Sequence, residues 1–240
     1  MQRYFIKSNQ INQSIITIKD SDVHHIKNVM RMRLGDEVLC TDEISTTYRC
    51  QIEAMDAIVR CRIMEQVVEH PEMRVKLTIA QGLISREKTE EVIRRLVELG
   101  AKAYIPVVMR RSKIQNDRIN YDRYDKIIKE AAEQSQRNVL MQCHHAVAFD
   151  ELKVLGTQYP TKLVADLGTN HSLKDLLPRE TAAILVVIGP EGGFDTAELD
   201  QLNKWGYQVV SLGNRTLRTE TAPLFVASVC GYVYGDDDAN

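Results

Sequence analysis

Ala183-Ile184-Leu185-Val186-Val187-Ile188 runs without a break into Gly189-Pro190-Glu191-Gly192-Gly193-Phe194 and then into Asp195-Thr196-Ala197-Glu198. Six apolar residues bounded by glycine read as a strand buried on both faces, as in a parallel sheet covered by helices. Asp195 with Glu198 three positions later is a capping box with Asp as the cap, so a helix opens there and runs to Trp205. Strand, glycine turn and helix in this order predict an α/β fold.

The same rhythm extends in both directions. Lys76 to Leu83 reads as a strand, and Thr89 to Leu99 as a helix with Val92, Ile93, Leu96 and Val97 on one face. Gly100 stops it and Ala103 to Val108 is the next strand, which completes a βαβ unit. Asp125 to Ser135 reads as a second helix, and Thr161 to Leu167 and Tyr207 to Leu212 as further strands. Ala222 to Tyr234 is a nearly all-apolar last helix, and Gly235 to Asn240 is expected to fray.

The first seventy residues differ. Glu37 to Cys40, Thr46 to Met55 and Ile58 to Val68 carry β-branched, alternating patterns and predict a small β-barrel. Before them Asp22 to Met30 reads as one helix, stopped near Leu34-Gly35-Asp36. The polar stretch Glu69-His70-Pro71-Glu72 fits a linker, giving domains over 1–70 and 75–240.

With 240 residues, 44% of them hydrophobic, the chain has material for a substantial core. A formal net charge of -2 argues against a wholesale nucleic-acid coat but leaves room for a basic face. The amino terminus lacks a long apolar region and no run spans a membrane, so a cytoplasmic protein with no membrane partner is expected. Five widely spaced cysteines suit reduced, packed thiols. Cys143-His144-His145 is the cluster to weigh for a metal, but adjacent residues of a strand point to opposite faces, so no metal is expected.

Two loops, each placed after an apolar strand, carry the functional signal: Ile188 to Gly193, and Leu212 to Ala222. Ligands of α/β sheets gather beyond the carboxyl ends of strands, where glycine lets main-chain groups approach them. The first loop has neither the Gly-Lys-Ser/Thr of a phosphate loop nor dinucleotide-binding spacing. In the second, Arg218-Thr219-Glu220-Thr221 packs a cation, two hydroxyls and a carboxylate before a helix. Thr219 or Thr221 capping that helix explains part of this, and a ligand site is compatible with the same geometry. Glu130 with Gln134, and Glu133 with Arg137, stand at i,i+4 and read as a solvated face. Arg31, Arg33, Arg110 and Arg111 suit either phosphate contacts or solvated surface, and His24-His25 reads as half packed.

Five ordered motifs carry a resemblance. They are Gly189 to Phe194, Leu212-Gly213, Leu217 to Ala222, Glu130-Ala131-Ala132-Glu133-Gln134-Ser135 and Val97-Glu98-Leu99-Gly100. In order and spacing they resemble the bacterial 16S ribosomal RNA uridine-N3 methyltransferase family, RsmE-like members of the SPOUT class. At the amino terminus Arg3-Tyr4-Phe5, His24-His25-Ile26 and Val29 to Asp36 look like that family's RNA-binding domain. Departures are Arg95-Leu96-Val97 and Ser135-Gln136-Arg137, where the family usually has Lys-Ala-Thr and Ser-Gly-Arg, and Pro223 for a usual Ala.

The resemblance implies an N-terminal PUA-like β-barrel and a C-terminal α/β SPOUT domain tied in a trefoil knot. It also implies S-adenosyl-L-methionine as cofactor, a homodimer, and 16S rRNA or the small ribosomal subunit as partner. Carried over, the cofactor would meet Ile188, Gly189, Glu191, Gly192 and Gly193, then Leu212, Gly213, Leu217, Arg218, Thr219, Thr221 and Ala222. Leu163 to Asp166 would contribute from the neighbouring strand. Arg218 would stabilise charge developing on uracil, and Glu220 or a water would accept the N3 proton. Arg3, Arg31, Arg33, Arg110 and Arg111 would contact RNA. A non-catalytic RNA-binding or ribosome-assembly module on the same fold is the alternative, and a nucleotide-dependent oxidoreductase is opposed by the missing glycine fingerprint.

Overall fold

The computed structural model describes residues 1–113 and 119–235. Residues 236–240, most of the tail expected to fray, lie outside the described residues. By internal contacts the chain forms two units: Met1–Pro71 with Ala132–Val139, and Glu72–Ala131 with Leu140–Asn240.

In the first unit β1 (Gln2–Phe5), β2 (Ile11–Asn12) and β3 (Ile15–Ile18) precede α1 (Ser21–His24), which continues as a π-helical turn over His25–Val29. β4 (Glu37–Thr41), β5 (Thr47–Met55) and β6 (Val59–Val67) follow. All six strands form one sheet in the order β1-β4-β5-β6-β3-β2, antiparallel except for β1 beside β4. Its core gathers Tyr4, Ile16, Ile18, Ile26, Val38 and Ile52 with the thiols of Cys40, Cys50 and Cys61. The sequence reading misses β1 to β3 because they are short, and β1 and β3 pair with strands more than thirty positions away. The expected helix is present, and Tyr4 shares a 3.0 Å hydrogen bond with His25 Nδ1, which leaves His25 half-buried and His24 exposed.

Two readings require correction in this unit. Glu133 and Arg137 are buried rather than a solvated face, and Glu133 accepts a hydrogen bond from the Phe5 backbone N–H at 3.2 Å. Arg3 is fully buried, with Nη1 on the hydroxyls of Thr41 and Thr47 and Nη2 2.6 Å from Glu69. Such a guanidinium is committed to the fold, so it has no surface to offer RNA.

The second unit is a parallel sheet. β7 (Lys76–Gly82), α2 (Arg86–Glu98) and β8 (Ala103–Val108) form the βαβ unit, with Val92, Ile93, Leu96 and Val97 buried. α3 (Tyr121–Gln134) begins four residues before the expected start because the Asn120 side chain accepts the Arg123 N–H and caps it. Then come β9 (Gln142–Cys143), β10 (Val147–Ala148), α4 (Leu152–Leu155), β11 (Thr161–Ala165) and α5 (Leu173–Leu176). β12 (Ala183–Ile188), α6 (Thr196–Lys204), β13 (Gln208–Val210) and α7 (Ala222–Tyr234) complete the chain. The strand order is β10-β8-β7-β12-β11-β13, with β9 also on β8.

β12 lies at the centre of this sheet. Leu185 and Val187 face a core with Val107, Leu152, Val164, Phe194 and Leu202, while Ile184 and Val186 are buried on the other face. That double burial is why its sequence does not alternate. The Asp195 box closes as read: Asp195 accepts from the Ala197 N–H, and Glu198 from the Asp195 N–H. All five cysteines are free, and burial pushes the Cys143 thiol up to about 12. Among the described residues no helix is long and apolar enough to cross a membrane.

Candidate functional site

Beyond the carboxyl ends of β11, β12 and β13 lies a cleft of about 440 Å³. That volume is within the roughly 300–1,000 Å³ of small-molecule pockets. One wall is Ala165 to Leu167, another Ile188 to Phe194, and the third Leu212, Arg215 to Thr219 and Ala222. Parallel strands end together on one side of a sheet, so loops that are remote in sequence converge there.

The convergence is held by specific contacts. Gly82, at the end of β7, takes Pro190 so closely that a Cβ there would lie 2.5 Å from the Pro190 ring and 2.6 Å from its nitrogen. Gly193 closes the first loop at φ +67, a conformation that side chains rarely adopt. The second loop leaves β13 at the sheet edge, yet Thr219 sits against the end of β7. Gln81 Nε2 donates to the Thr219 carbonyl at 2.7 Å, and Thr219 Oγ1 donates to the Gly189 carbonyl at 2.7 Å. Tyr104 Oη donates in turn to Gln81 Oε1 at 3.1 Å. A chain of hydrogen bonds, buried at its Tyr104 end, thus ties the two loops to each other and to β7 and β8.

This corrects the capping reading. Thr219 bridges loops, and Thr221 stands at the N-cap of α7 without a side-chain capping bond. Instead the Thr221 and Ala222 N–H groups donate to the Arg218 carbonyl, and Pro223 occupies the first turn.

Charges converge on the same loops. Lys88, from the first turn of α2, places Nζ 2.5 Å from Glu191 Oε1 and 3.5 Å from Glu220 Oε2. The hydrogen bond from the Lys88 ammonium holds the Glu191 carboxyl below its usual range, and the same contact raises Lys88. Arg218 is 85% exposed, with Nη1 4.0 Å from Glu220 Oε1. Glu220 Oε2 is buried and has no hydrogen-bond partner.

Of the residues expected at the cofactor, Ile188, Gly189, Glu191, Gly192 and Gly193 line the cleft, as do Leu212, Leu217, Arg218, Thr219 and Ala222. Gly213 and Thr221 stand outside its wall; Gly213 turns the chain at φ +107 and Thr221 is exposed. Ala165 and Asp166 line it, whereas Leu163 is in the core. Sequence reasoning missed Pro190, Phe194 and Arg215 in the wall, and Lys88 and Gln81 behind it. Gln81 had a signal: an amide inside an apolar strand must find a partner.

Arg31 and Arg33 are exposed in the first unit, Arg31 at φ +53. In the second, Arg110 donates through its N–H to Glu198 and through Nη1 to Asp195, and Arg111 Nη1 donates to the Gly192 carbonyl. Both guanidiniums are exposed but also brace the first loop.

Residues 71–231 match the RNA methyltransferase domain family, and residues 18–59 the RNA methyltransferase PUA domain. Ribosomal RNA small subunit methyltransferase E of Bacillus subtilis (strain 168) is 35% identical over 97% of this chain and 96% of its own. The chain belongs to the methyltransferase E family. The Synechocystis member (strain ATCC 27184 / PCC 6803 / Kazusa) is 30% identical, with 92% of this chain and 74% of that protein aligned. A crystal structure of the Neisseria gonorrhoeae methyltransferase E, bound to S-adenosyl methionine, has a TM-score of 0.88 at 27% identity over 99% of both chains. The cleft lies entirely inside the methyltransferase match.

Proposed function

We propose that this chain transfers a methyl group from S-adenosyl-L-methionine to N3 of a uridine in 16S ribosomal RNA. One observation carries the reading: a cleft at three parallel strand ends is bordered by the exposed guanidinium of Arg218, and Glu220, outside the cleft wall, has Oε1 4.0 Å from that guanidinium. Backbone groups of Gly189 and Gly192 can bond an adenosine and amino-acid moiety without side chains of their own in the way, Leu212 adds an apolar wall, and Asp166 and Glu191 supply negative charge for a cation. When bound, the donor supplies a methyl from its sulfonium, and the electron pair of the broken carbon–sulfur bond remains on sulfur.

The protein's own groups do the rest. N3 loses one proton as its bond to carbon forms, so negative charge builds on the uracil ring. Glu220 takes that proton, and the Arg218 guanidinium donates to a ring carbonyl oxygen. Arg31, Arg33, Arg110 and Arg111 meet RNA phosphates.

We assign 1–70 to a PUA-like β-barrel and 75–240 to a SPOUT domain. A trefoil knot is supported by the path of the second loop, which leaves the sheet edge at β13 and returns to β7 across the first loop. A homodimer is supported by α7, where Phe225, Tyr232 and Val233 are exposed, Tyr232 at 92%. Val226 on the same helix is buried within the subunit. The cytoplasm, where small subunits are made, is the compartment.

Calorimetric titration with S-adenosylhomocysteine is expected to show one site per chain, lost on Thr219→Arg. Mass spectrometry of 16S rRNA from a deletion strain is expected to lack one N3-methyluridine. Absence of binding removes the methyltransferase reading, and loss of a different modification removes the substrate.

A further inference from the structure

We propose that Lys88 is a positioning residue for proton removal, its ammonium holding the Glu220 carboxylate and, through Glu191, the first cleft loop. The inference rests on the methyl-transfer reading above and adds a residue outside the cleft wall.

Lys88 is in an unfavourable place for its own helix. The first turn of α2 carries Arg86 and Lys88 on either side of Glu87, and cations at a helix amino terminus oppose the helix dipole. Arg86 is compensated locally by Glu90 at 2.8 Å. Lys88 finds no carboxylate on α2; Glu91, three residues on, is engaged by Arg94 and Arg95. Its partners are tertiary, one from each cleft loop: Glu191 at 2.5 Å and Glu220 at 3.5 Å.

Two carboxylates that converge without a cation repel, and one of them takes up a proton or moves away. Between Lys88 and Arg218, Glu220 has a cation on each oxygen, Lys88 toward Oε2 and Arg218 toward Oε1. The contact with Glu191 is the close one, so Glu220 is held at ion-pair distance while Oε2 makes no hydrogen bond. Oε2 is buried against Lys88, which leaves Oε1, on the side of the exposed Arg218, as the oxygen that takes the proton.

The charges also balance. Lys88, Arg218, Glu191 and Glu220 sum to zero before transfer. When the N3 proton moves to Glu220, the four groups carry one surplus positive charge, opposite the negative charge on the ring. The proton then passes to water after product release. A single ammonium with three donors can serve two carboxylates in this way.

The test combines single-turnover methylation of 16S rRNA, S-adenosylhomocysteine calorimetry and thermal unfolding for wild type, Lys88→Met, Lys88→Arg, Glu220→Gln and the Lys88→Met/Glu220→Gln pair. Lys88→Met is expected to slow the transfer on the order of 10²-fold, the range of general-base contributions. Its affinity for S-adenosylhomocysteine is expected to stay near wild type and its melting temperature to fall only slightly, as for a solvent-exposed ion pair, and Lys88→Arg to recover most of the rate. The double variant is expected to be no slower than Glu220→Gln alone, as for residues acting through one another. A wild-type rate in Lys88→Met, multiplicative losses in the double variant, or a loss of affinity matching the loss of rate each overturns the role of Lys88. An inactive wild type instead removes the methyl-transfer reading and this proposal with it.

Discussion

Two clusters of the same residue types have opposite surroundings. In the first unit Arg3 meets Thr41, Thr47 and Glu69, is fully buried and donates to all three. In the second, Arg218-Thr219-Glu220 leaves its arginine 85% exposed and a glutamate oxygen unsatisfied, and spends the threonine on bridging two loops. Arg3 is sealed from solvent and pairs with the partly exposed carboxylate of Glu69. Arg218 borders a cleft, where its donors remain available to a ligand. The side chains are the same in kind, and what separates structure from function is whether the guanidinium is shut away from water or faces a cleft.

The comparison breaks if Arg218 proves structural. Arg218→Met is expected to lower kcat on the order of 10²- to 10³-fold, as for loss of a charge-stabilising donor, with unchanged unfolding. A stability loss in place of the rate loss would put it in the class of Arg3. Arg3→Met is expected to destabilise the first unit by about 3 kcal/mol in urea unfolding, since it strands two hydroxyls and Glu69. S-adenosylhomocysteine binding should persist under native conditions.

Thr219→Val sharpens the contrast from the other side. It leaves the Gly189 carbonyl and the Gln81 amide short of a partner, about 1–3 kcal/mol, which is expected to appear as weaker S-adenosylhomocysteine affinity. Equal affinity would show that the loops hold without the bridge. The smallest effect is on pH. Glu191 is lowered by Lys88, so its contribution is present above its ordinary value of 4.5 and is lost as pH falls below it. Lys88 is raised, so its contribution is present below its ordinary value of 10.5 and is lost as pH rises through its higher folded value. Thermal melting is expected to respond to Lys88→Met between these limits and to become insensitive to it at the acid end.

Much of the second unit was legible because its signals are local. The apolar run of β12, the Asp195 box and the apolar face of α2 each lie within one element and need no partner to be recognised. The residues of both cleft loops were legible as well, since glycine and threonine clusters after strands mark a turn at a ligand-bearing edge. The first strands were not, because β1 is four residues long and pairs with β4, more than thirty positions away. The burial of Glu133 and Arg137 was hidden for a related reason: an i,i+4 pair on a helix has the same pattern whether water or protein covers it. Arg3 failed in the same way.

By itself the sequence determined the alternation of strands and helices, the caps and the chemical content of the two loops, because propensity, periodicity and turn chemistry act between neighbours. Only the tertiary structure decided that Gln81, Lys88 and Tyr104 stand behind those loops, that Thr219 joins them, and which arginine is buried and which stays exposed. Those outcomes depend on distances between residues remote along the chain, which are fixed when the sheet aligns its strand ends and packing removes water from one side chain and leaves it on another.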